Sequence, residues 1–329
     1  MKRYDVIVIG DLFCDIVTAP IADYPERDRQ IGCKFALDIG GQAANCAVAS
    51  ASLGLKTALI CKTGSDMLSQ WLRSELQKRG VECFASVTEK EDLQHPGITV
   101  SIAFKDGSRS MLSDRGANID FAAEDIRFDL LSETRFIMRA GHWNTEALFS
   151  ANKQILESAK SAAIDTGTDT DTDTDTDTYT YIYTGLDIGW SAYLGWTAHA
   201  RQTVFDLLPS IDFLFINEAE MHELLSEKKG IGEEDREGEG EGEEKGAYAY
   251  ELLEKGCKNV IIHRGVDGSA WITKEFEIRS PAFDVQPINP TGAGDVFNAG
   301  FIYAVLNGRE ARECLRFANA CAATYISRK

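Results

Sequence analysis

Residues 289–301 read NPTGAGDVFNAGF, which places three small residues, Gly292, Ala293 and Gly294, directly before one acid, Asp295. Val296, Phe297, Ala299, Gly300, Phe301, Ala304 and Val305 follow at helical spacing. A glycine-rich turn at a helix start presents unpaired backbone N–H groups to an anion, and the missing side chains allow close approach. Asp295 then lies within bonding reach of whatever attacks that anion, and a helix N-terminus favours an ionised carboxylate. Two readings fit the stretch alone. One is a set of amides for a transferring phosphoryl group, with a carboxylate base for the acceptor's proton. The other is a packing loop before a helix that carries an Asp in its first turn.

Outward from this stretch, the chain alternates strand and helix patterns. VIVIG (6–10) and TALICKTG (57–64) are strand-like, while 41–54 and 67–80 are helical, the second stopped by Gly80. ITVSIAF (98–104) turns at KDGS and returns through RSML, a β-hairpin pattern. RFIMRAG, GLDIGW, DFLFINE and NVIIHRG supply four further strands with helices between them. This order predicts an α/β fold with a mostly parallel central sheet covered on both faces. Ligands of such sheets sit at the carboxyl ends of strands. The loops to inspect are therefore 10–11, 63–64, 187–190, 217–220 and 263–265.

The chain has 329 residues, is 44% hydrophobic and carries a formal charge of −18. It contains no apolar run long enough to span a membrane, and the short run after Met1-Lys-Arg ends in Gly10 and Asp11, as a buried strand does. Eight cysteines stand in apolar contexts without C-x-x-C spacing, the pattern of reduced core thiols in a cytoplasmic protein rather than of zinc or disulfides. The histidines His95, His142, His199 and His222 lack ligand spacing and read as structural.

Much of the charge is local. Residues 165–178 carry six Asp and no base, and 227–245 carry nine acids against four bases, together −11 and leaving −7 for the rest. That balance disfavours nucleic acid, and an anionic substrate needs a locally positive pocket. The Asp-Thr repeat (about 165–180) and the Gly/Glu tract (about 227–246) read as surface expansions, solvated or disordered, and as dispensable. Calcium loops need a shaped turn and mixed ligands, which the repeat lacks.

A second glycine pair, Gly40 and Gly41 in DIGGQAANCAVASASLG (38–54), opens another helix, with Asn45 one turn in. Such a turn lets a small polar ligand meet the backbone, and Asn45 can donate to and accept from hydroxyls. Plain helix packing explains it equally well in isolation.

The two glycine motifs, in this order, resemble the PfkB, or ribokinase-like, family of carbohydrate kinases over nearly the whole chain. GDLFCD (10–15) is similar to the family's first strand end, which implies that Asp15 binds sugar hydroxyls. GGQAAN (40–45) resembles its N-terminal signature, with Gly40, Gly41 and Asn45 at the acceptor. NEAE (217–220) matches its N-x-x-E motif, so Asn217 and Glu220 are implied to organise phosphates and magnesium, Glu220 through water. HRGVDGSA (263–270) resembles the glycine turn beside the nucleotide, with Gly265 and Gly268, and RFANACAATYISRK (316–329) the adenine-side helix with Asn319. NPTGAGDVFNAGF matches the C-terminal signature and implies Asp295 as catalytic base, with the Gly292, Ala293 and Gly294 amides around the transferring group.

The resemblance implies one kinase domain with a Rossmann-like αβα sandwich and a small β-strand lid, formed by about 15–38 and 95–117. It implies ATP and Mg2+ as cofactors, a sugar or nucleoside acceptor and a homodimer through the lid. Asn118, where the lid rejoins the core, is a further candidate for the acceptor, and Trp190 and Trp196 are either pocket walls or packing. Three departures, Asn289, His263 and the end at Lys329, count against potassium (K+) activation and tight ATP binding. A sensor that kept the fold without catalysis is the alternative of another class. A nicotinamide enzyme needs G-x-G-x-x-G after the first strand, which GDLFCD does not supply.

Overall fold

The computed structural model describes residues 2–164, 181–226, 241–288 and 290–327. Its strands are β1 (Val6–Ile9), β2 (Phe13–Thr18), β3 (Phe35–Gly40), β4 (Thr57–Thr63), β5 (Val81–Val87), β6 (Gly97–Ala103), β7 (Arg109–Asp114), β8 (Phe136–Arg139), β9 (Tyr183–Asp187), β10 (Phe213–Asn217), β11 (Asn259–His263), β12 (Ser269–Ile272) and β13 (Glu277–Ser280). The helices are α1 (Gln42–Ser52), α2 (Met67–Lys78), α3 (Phe128–Leu131), α4 (Phe149–Ile164), α5 (Ala198–Phe205), α6 (Glu218–Leu225), α7 (Glu241–Glu254), α8 (Ala293–Leu306) and α9 (Ala311–Ile326).

Nine strands form the large sheet in the order β13-β12-β11-β10-β9-β8-β1-β4-β5. All neighbours pair in parallel except β11–β12 and β12–β13. The expected mostly parallel sheet is therefore present, and its strands are apolar on both faces. In β1, Val6 and Val8 pack with α1 and α8 residues, while Ile7 and Ile9 pack with α4 residues. A run of four apolar residues is what burial between two helical layers selects.

The chain winds outward from β1 through β4 to β5, then returns to β8 on the other side of β1 and winds away to β11. The connections diverge between β1 and β8, and a crevice opens there at the carboxyl ends. Gly10 and Ala140 meet in it: a Cβ on Gly10 would lie 2.0 Å from the Ala140 carbonyl oxygen.

A second sheet, in the order β3-β2-β6-β7, covers this crevice. The β2–β3 and β6–β7 pairs are antiparallel and β2–β6 is parallel, so it is mixed. The expected hairpin is β6–β7, closed where Phe104 donates to Ser108 and Gly107 takes a φ of 89°.

The Gly/Glu tract departs from its expected bounds. The sequence predicts a loop or disorder through residue 246, whereas α7 begins at Glu241. Glu and Lys are good helix formers and here lead into the apolar face at Ala249, Leu252 and Leu253. The remainder of that tract, the Asp-Thr repeat and Asn289 lie outside the described residues. Among the described residues, no helix is long and apolar enough to cross a membrane. All eight cysteines are free.

Candidate active site

Two cavities meet at the carboxyl ends of the large sheet. The larger holds about 730 Å3 between the crevice and the small sheet. The smaller, about 310 Å3, lies between the turn after β11 and α9. His263, Pro290, Ala293 and Gly294 belong to the walls of both.

Asp295 is buried at the floor of the larger cavity, in the first turn of α8. Gly292 precedes that helix with a φ of 79°, a left-handed conformation that side chains disfavour. The Ala293 N–H is already donated to the Pro290 carbonyl at 3.2 Å. Among the described residues, the N–H groups of Gly294 and Asp295 have no protein acceptor. An anion at this turn therefore meets Gly294 and Asp295 amides rather than that of Ala293. A Cβ on Gly294 would contact the His263 ring at 3.4 Å, so its small size keeps the partition between the cavities thin.

The helix N-terminus is not the strongest influence on Asp295. Burial, and next the Asp187 charge, push its carboxyl well above the usual range, and the hydrogen bond from Asn45 Nδ2 at 3.0 Å opposes them. Desolvation outweighs a helix-dipole contribution of order 1 kcal/mol.

Gly41 starts α1 with a φ of 93°, and Asp11 Oδ1 accepts the Ala43 N–H at 2.9 Å, so Asp11 caps this helix from another element. Cβ atoms on Gly41 and Gly141 would collide with Asp11, at 2.8 Å and 2.2 Å. Asn144 donates to its other oxygen at 2.7 Å. The fully buried Arg139 guanidinium offsets its charge, against the burial that raises its pKa. Gly40 does not line the cavity. A Cβ there would meet the Asp15 carboxylate at 2.0 Å, so Gly40 makes room for Asp15. Asp15 pairs across the strands with Asp38, and burial followed by this like charge pushes its pKa up to about 7.

Asn118 is a correction. It is buried away from the cavity, with Oδ1 accepting from Leu12 N and Nδ2 donating to the Leu12 and Arg115 carbonyls. It ties the β1–β2 turn to the end of the lid and leaves no polar atom for an acceptor.

Asn217 and Glu220 form a capping box at α6: Asn217 Oδ1 accepts the Glu220 N–H at 2.8 Å, and Glu220 Oε2 accepts the Asn217 N–H at 3.0 Å. Both line the larger cavity. Burial, then Asp187, push Glu220 up to about 8, and burial pushes Asp187 up to about 6. An acid raised by burial and by a neighbouring carboxylate is what a divalent cation relieves, so these residues fit magnesium. Among the described residues, no three His, Cys, Asp or Glu side chains group closely enough to hold a metal themselves. Magnesium bound chiefly through phosphates and water matches that arrangement.

His263 Nε2 lies 2.9 Å from Asn298 Oδ1, and Asn298 Nδ2 donates to Asp187 Oδ2 at 2.6 Å. The relay places the imidazole proton on Nε2, and burial lowers the pKa to about 4, so the ring is neutral. The smaller cavity is walled by Val266, Phe283, Val285, Pro287, Phe297 and Ile326, with Gly265, Gly268 and Asn319 beside them. The Asn319 amide is committed to the Ser280 and Pro281 carbonyls, both at 3.1 Å.

Trp190, 55% exposed, lines the larger cavity, whereas Trp196 is buried against Trp143. His142 is buried, stacked on Phe149 and far below its usual pKa through desolvation, in keeping with its structural reading. The sequence pointed to the loops holding Asp11 and Asp187 without singling out either residue. Thr99, Arg109, Ser113, Asn144 and Tyr193 also line the larger cavity outside any motif, and Gln42 lines it from within GGQAAN, where the sequence singled out only its neighbours.

Comparison with known proteins bears on this arrangement. The family model for pfkB family carbohydrate kinases matches residues 4–329. The chain is 24% identical to a 5-dehydro-2-deoxygluconokinase of Shouchella clausii, over 99% of this chain and 91% of that protein. The structure of Arabidopsis thaliana ribokinase complexed with ribose and ATP superposes with a TM-score of 0.74, at 24% identity over 99% of this chain and 94% of the other. That of the adenosine kinase from Sinorhizobium meliloti does so with a TM-score of 0.78, at 22% identity and the same coverage. With its signatures folded into one crevice and the family model spanning its length, the chain belongs to the pfkB family of carbohydrate kinases.

Proposed function

We propose that this protein transfers the γ-phosphoryl group of ATP to a hydroxymethyl group of a sugar held between the crevice and the small sheet. The observation carrying this reading is the placement of Asp295: a buried carboxyl behind the Gly292 turn, held by Asn45, where the two cavities share a wall. The apolar smaller cavity suits a nucleobase, and the wall at Gly294 is where the phosphate chain passes.

Asp11, Asp15, Gln42, Asn45, Thr99 and Asn144 offer the mixed donors and acceptors that sugar hydroxyls need. Asp295 takes the proton of the attacking hydroxyl as its oxygen bonds to phosphorus. Asn45 holds that carboxyl in place. The Gly294 and Asp295 amides receive charge on the transferring oxygens. The small sheet excludes water, which directs the phosphoryl group to the acceptor. Asp187 and Glu220 would hold magnesium, Glu220 through water. Bound with the nucleotide, magnesium neutralises charge on the phosphates.

A nucleoside acceptor is the second reading. The exposed face of Trp190 on the cavity favours it, because a base stacks there as readily as a sugar ring does. ATP consumption across pentoses, hexoses, keto-deoxy sugar acids, sugar phosphates and nucleosides, with and without potassium, tests both readings. ATP consumption with a sugar supports the first and with a nucleoside the second. Ligand binding without consumption supports a sensor.

A further inference from the structure

The acceptor end of the larger cavity is built over a buried cation. Arg139, the last residue of β8, is fully buried. An arginine is rarely taken wholly out of water unless its charge is paired and its N–H groups are bonded. Its Nε donates to Asn152 Oδ1 in α4 at 2.8 Å, and Nη1 donates to the carbonyls of Ile9, at 3.2 Å, and Ala140. Its Nη2 donates to Thr145 Oγ1. The guanidinium thus ties the ends of β1 and β8 to the turn 141–145 and to α4. Asp11 is the charge that acts on it.

Asp11 is itself fully buried, so it serves the cavity through its partners. Its carboxyl accepts the Ala43 N–H, the Asn144 side-chain amide and its own N–H. All three partners are donors, as an ionised carboxylate requires. Burial favours the neutral form of Asp11, and so does negative charge at Asp15 in β2, Asp187 in β9 and Asp295 in α8. Arg139 is the cation that opposes them. An anion at Asp11 fixes the Asn144 amide, because only its NH2 end can meet that anion at 2.7 Å. The other end, Asn144 Oδ1, has no protein partner among the described residues, and Asn144 lines the larger cavity.

We propose that Arg139 is a positioning residue for acceptor choice: its charge holds Asp11 as an anion, Asp11 orients Asn144, and the Asn144 carbonyl then requires a hydroxyl donor from the acceptor. The inference rests on the kinase reading above for a sugar in this cavity. A hydroxyl donates to Oδ1. A keto oxygen at the same carbon can only accept and meets Oδ1 lone pair to lone pair, and a deoxy carbon leaves Oδ1 unpaired. The site therefore selects a sugar that is hydroxylated, rather than keto or deoxy, at the carbon facing Asn144.

A neutral Asp11 gives the opposite selection. Its O–H would donate to Asn144 Oδ1 and turn the amide round, so that NH2 faces the cavity and a keto oxygen is welcome. Removing the Arg139 charge moves the site toward that state.

The test takes an acceptor that the wild type binds, with its deoxy and keto analogues altered one carbon at a time. Acceptor kcat and KM, and calorimetric affinity, are measured for the wild type, Arg139→Met, Arg139→Lys and Asn144→Ala. At one carbon the wild type should lose roughly 10-fold or more in kcat/KM with both analogues. Arg139→Met should raise the KM of the parent acceptor by roughly 10-fold, keep kcat within a few-fold and narrow the hydroxyl-over-keto preference at that carbon. Arg139→Lys keeps the charge and loses the fork, so it should hold most of that preference. A merely structural strap would fail equally in both variants. Asn144→Ala should abolish the preference at the same carbon and at no other. It decides the matter even where Arg139→Met does not fold. An unchanged preference in Asn144→Ala, or equal losses in Arg139→Lys and Arg139→Met, overturns the inference and leaves the kinase reading intact. A wild type that binds sugars without turnover overturns the kinase reading, and the same comparison of affinities then decides the inference. A wild type that binds no sugar overturns both.

Discussion

Asn45 in α1 donates its side-chain amide to Asp295 Oδ2 in α8 at 3.0 Å, joining the two glycine-led helices across 250 residues of sequence. Each helix begins at a glycine with positive φ, Gly41 and Gly292, so both backbones face the same cavity. A Cβ on Gly292 would lie 3.5 Å from that same Asn45 nitrogen. The base and its holder are thus positioned by one helix–helix contact.

Asp295→Asn keeps the shape of this contact and removes the proton acceptor. The turnover number should fall by roughly 10² or more, the scale of losing a general base. Nucleotide affinity should hold or rise, because a negative charge near the phosphates is gone. Steady-state kinetics with calorimetric nucleotide titration reads both. Near-normal turnover in a folded variant would remove Asp295 from the role of base.

Asn45→Ala should move the pH profile as well as lower the rate. The Asn45 hydrogen bond lowers the pKa of Asp295, so its loss raises that pKa further. The base must be deprotonated to act, and the acid limb of kcat/KM should shift to higher pH. An acid limb that stays in place would mean that another group sets it.

Gly294→Val should weaken nucleotide binding and turnover together. Its Cβ would meet the His263 ring, anchored to Asn298, at 3.4 Å, an ordinary contact, and its branched methyls would take up space at the wall that the two cavities share. That ring is part of both cavity walls. Set beside Asp295→Asn, which spares binding, the pair separates proton acceptance from cradling of the phosphates. Wild-type nucleotide affinity in Gly294→Val would show that the wall yields without cost.

Thermal stability of the ligand-free protein should fall as pH rises from about 4 to about 8. Asp187, Asp15 and Glu220 carry folded-state values of about 6, about 7 and about 8, above those of an unfolded chain. Between the two sets of values the folded state binds more protons than the unfolded one, so unfolding free energy decreases with pH. The stabilisation is complete below the unfolded value and is lost as pH passes the folded ones. Asp15→Asn should flatten the slope measured by scanning calorimetry between pH 4 and 8. A melting temperature that rises across this window would contradict the assignment.

Much of the fold was legible because it rests on local pattern. Val6–Ile9 is buried on both faces and therefore continuously apolar, and Gly80 follows α2 in a left-handed conformation that few other residues adopt. The two glycine turns were visible for the same reason, since a backbone that a ligand must approach has to shed its side chains. What each side chain meets there is decided by packing between distant elements. Asn118 has the polarity of a ligand-binding residue, yet its partners are the backbone of Leu12 and Arg115. Asp295 sits where a helix dipole favours ionisation, yet burial beside Asp187 raises its pKa. Arg109 is one basic residue in a hairpin until the small sheet folds over the crevice and places it at Thr291. Periodicity and glycine placement act over a few residues, so the sequence alone determined the elements and their ligand-facing turns. Burial and charge act between residues far apart in the chain, so only the tertiary structure decided which groups share the cavity and which proton each one holds.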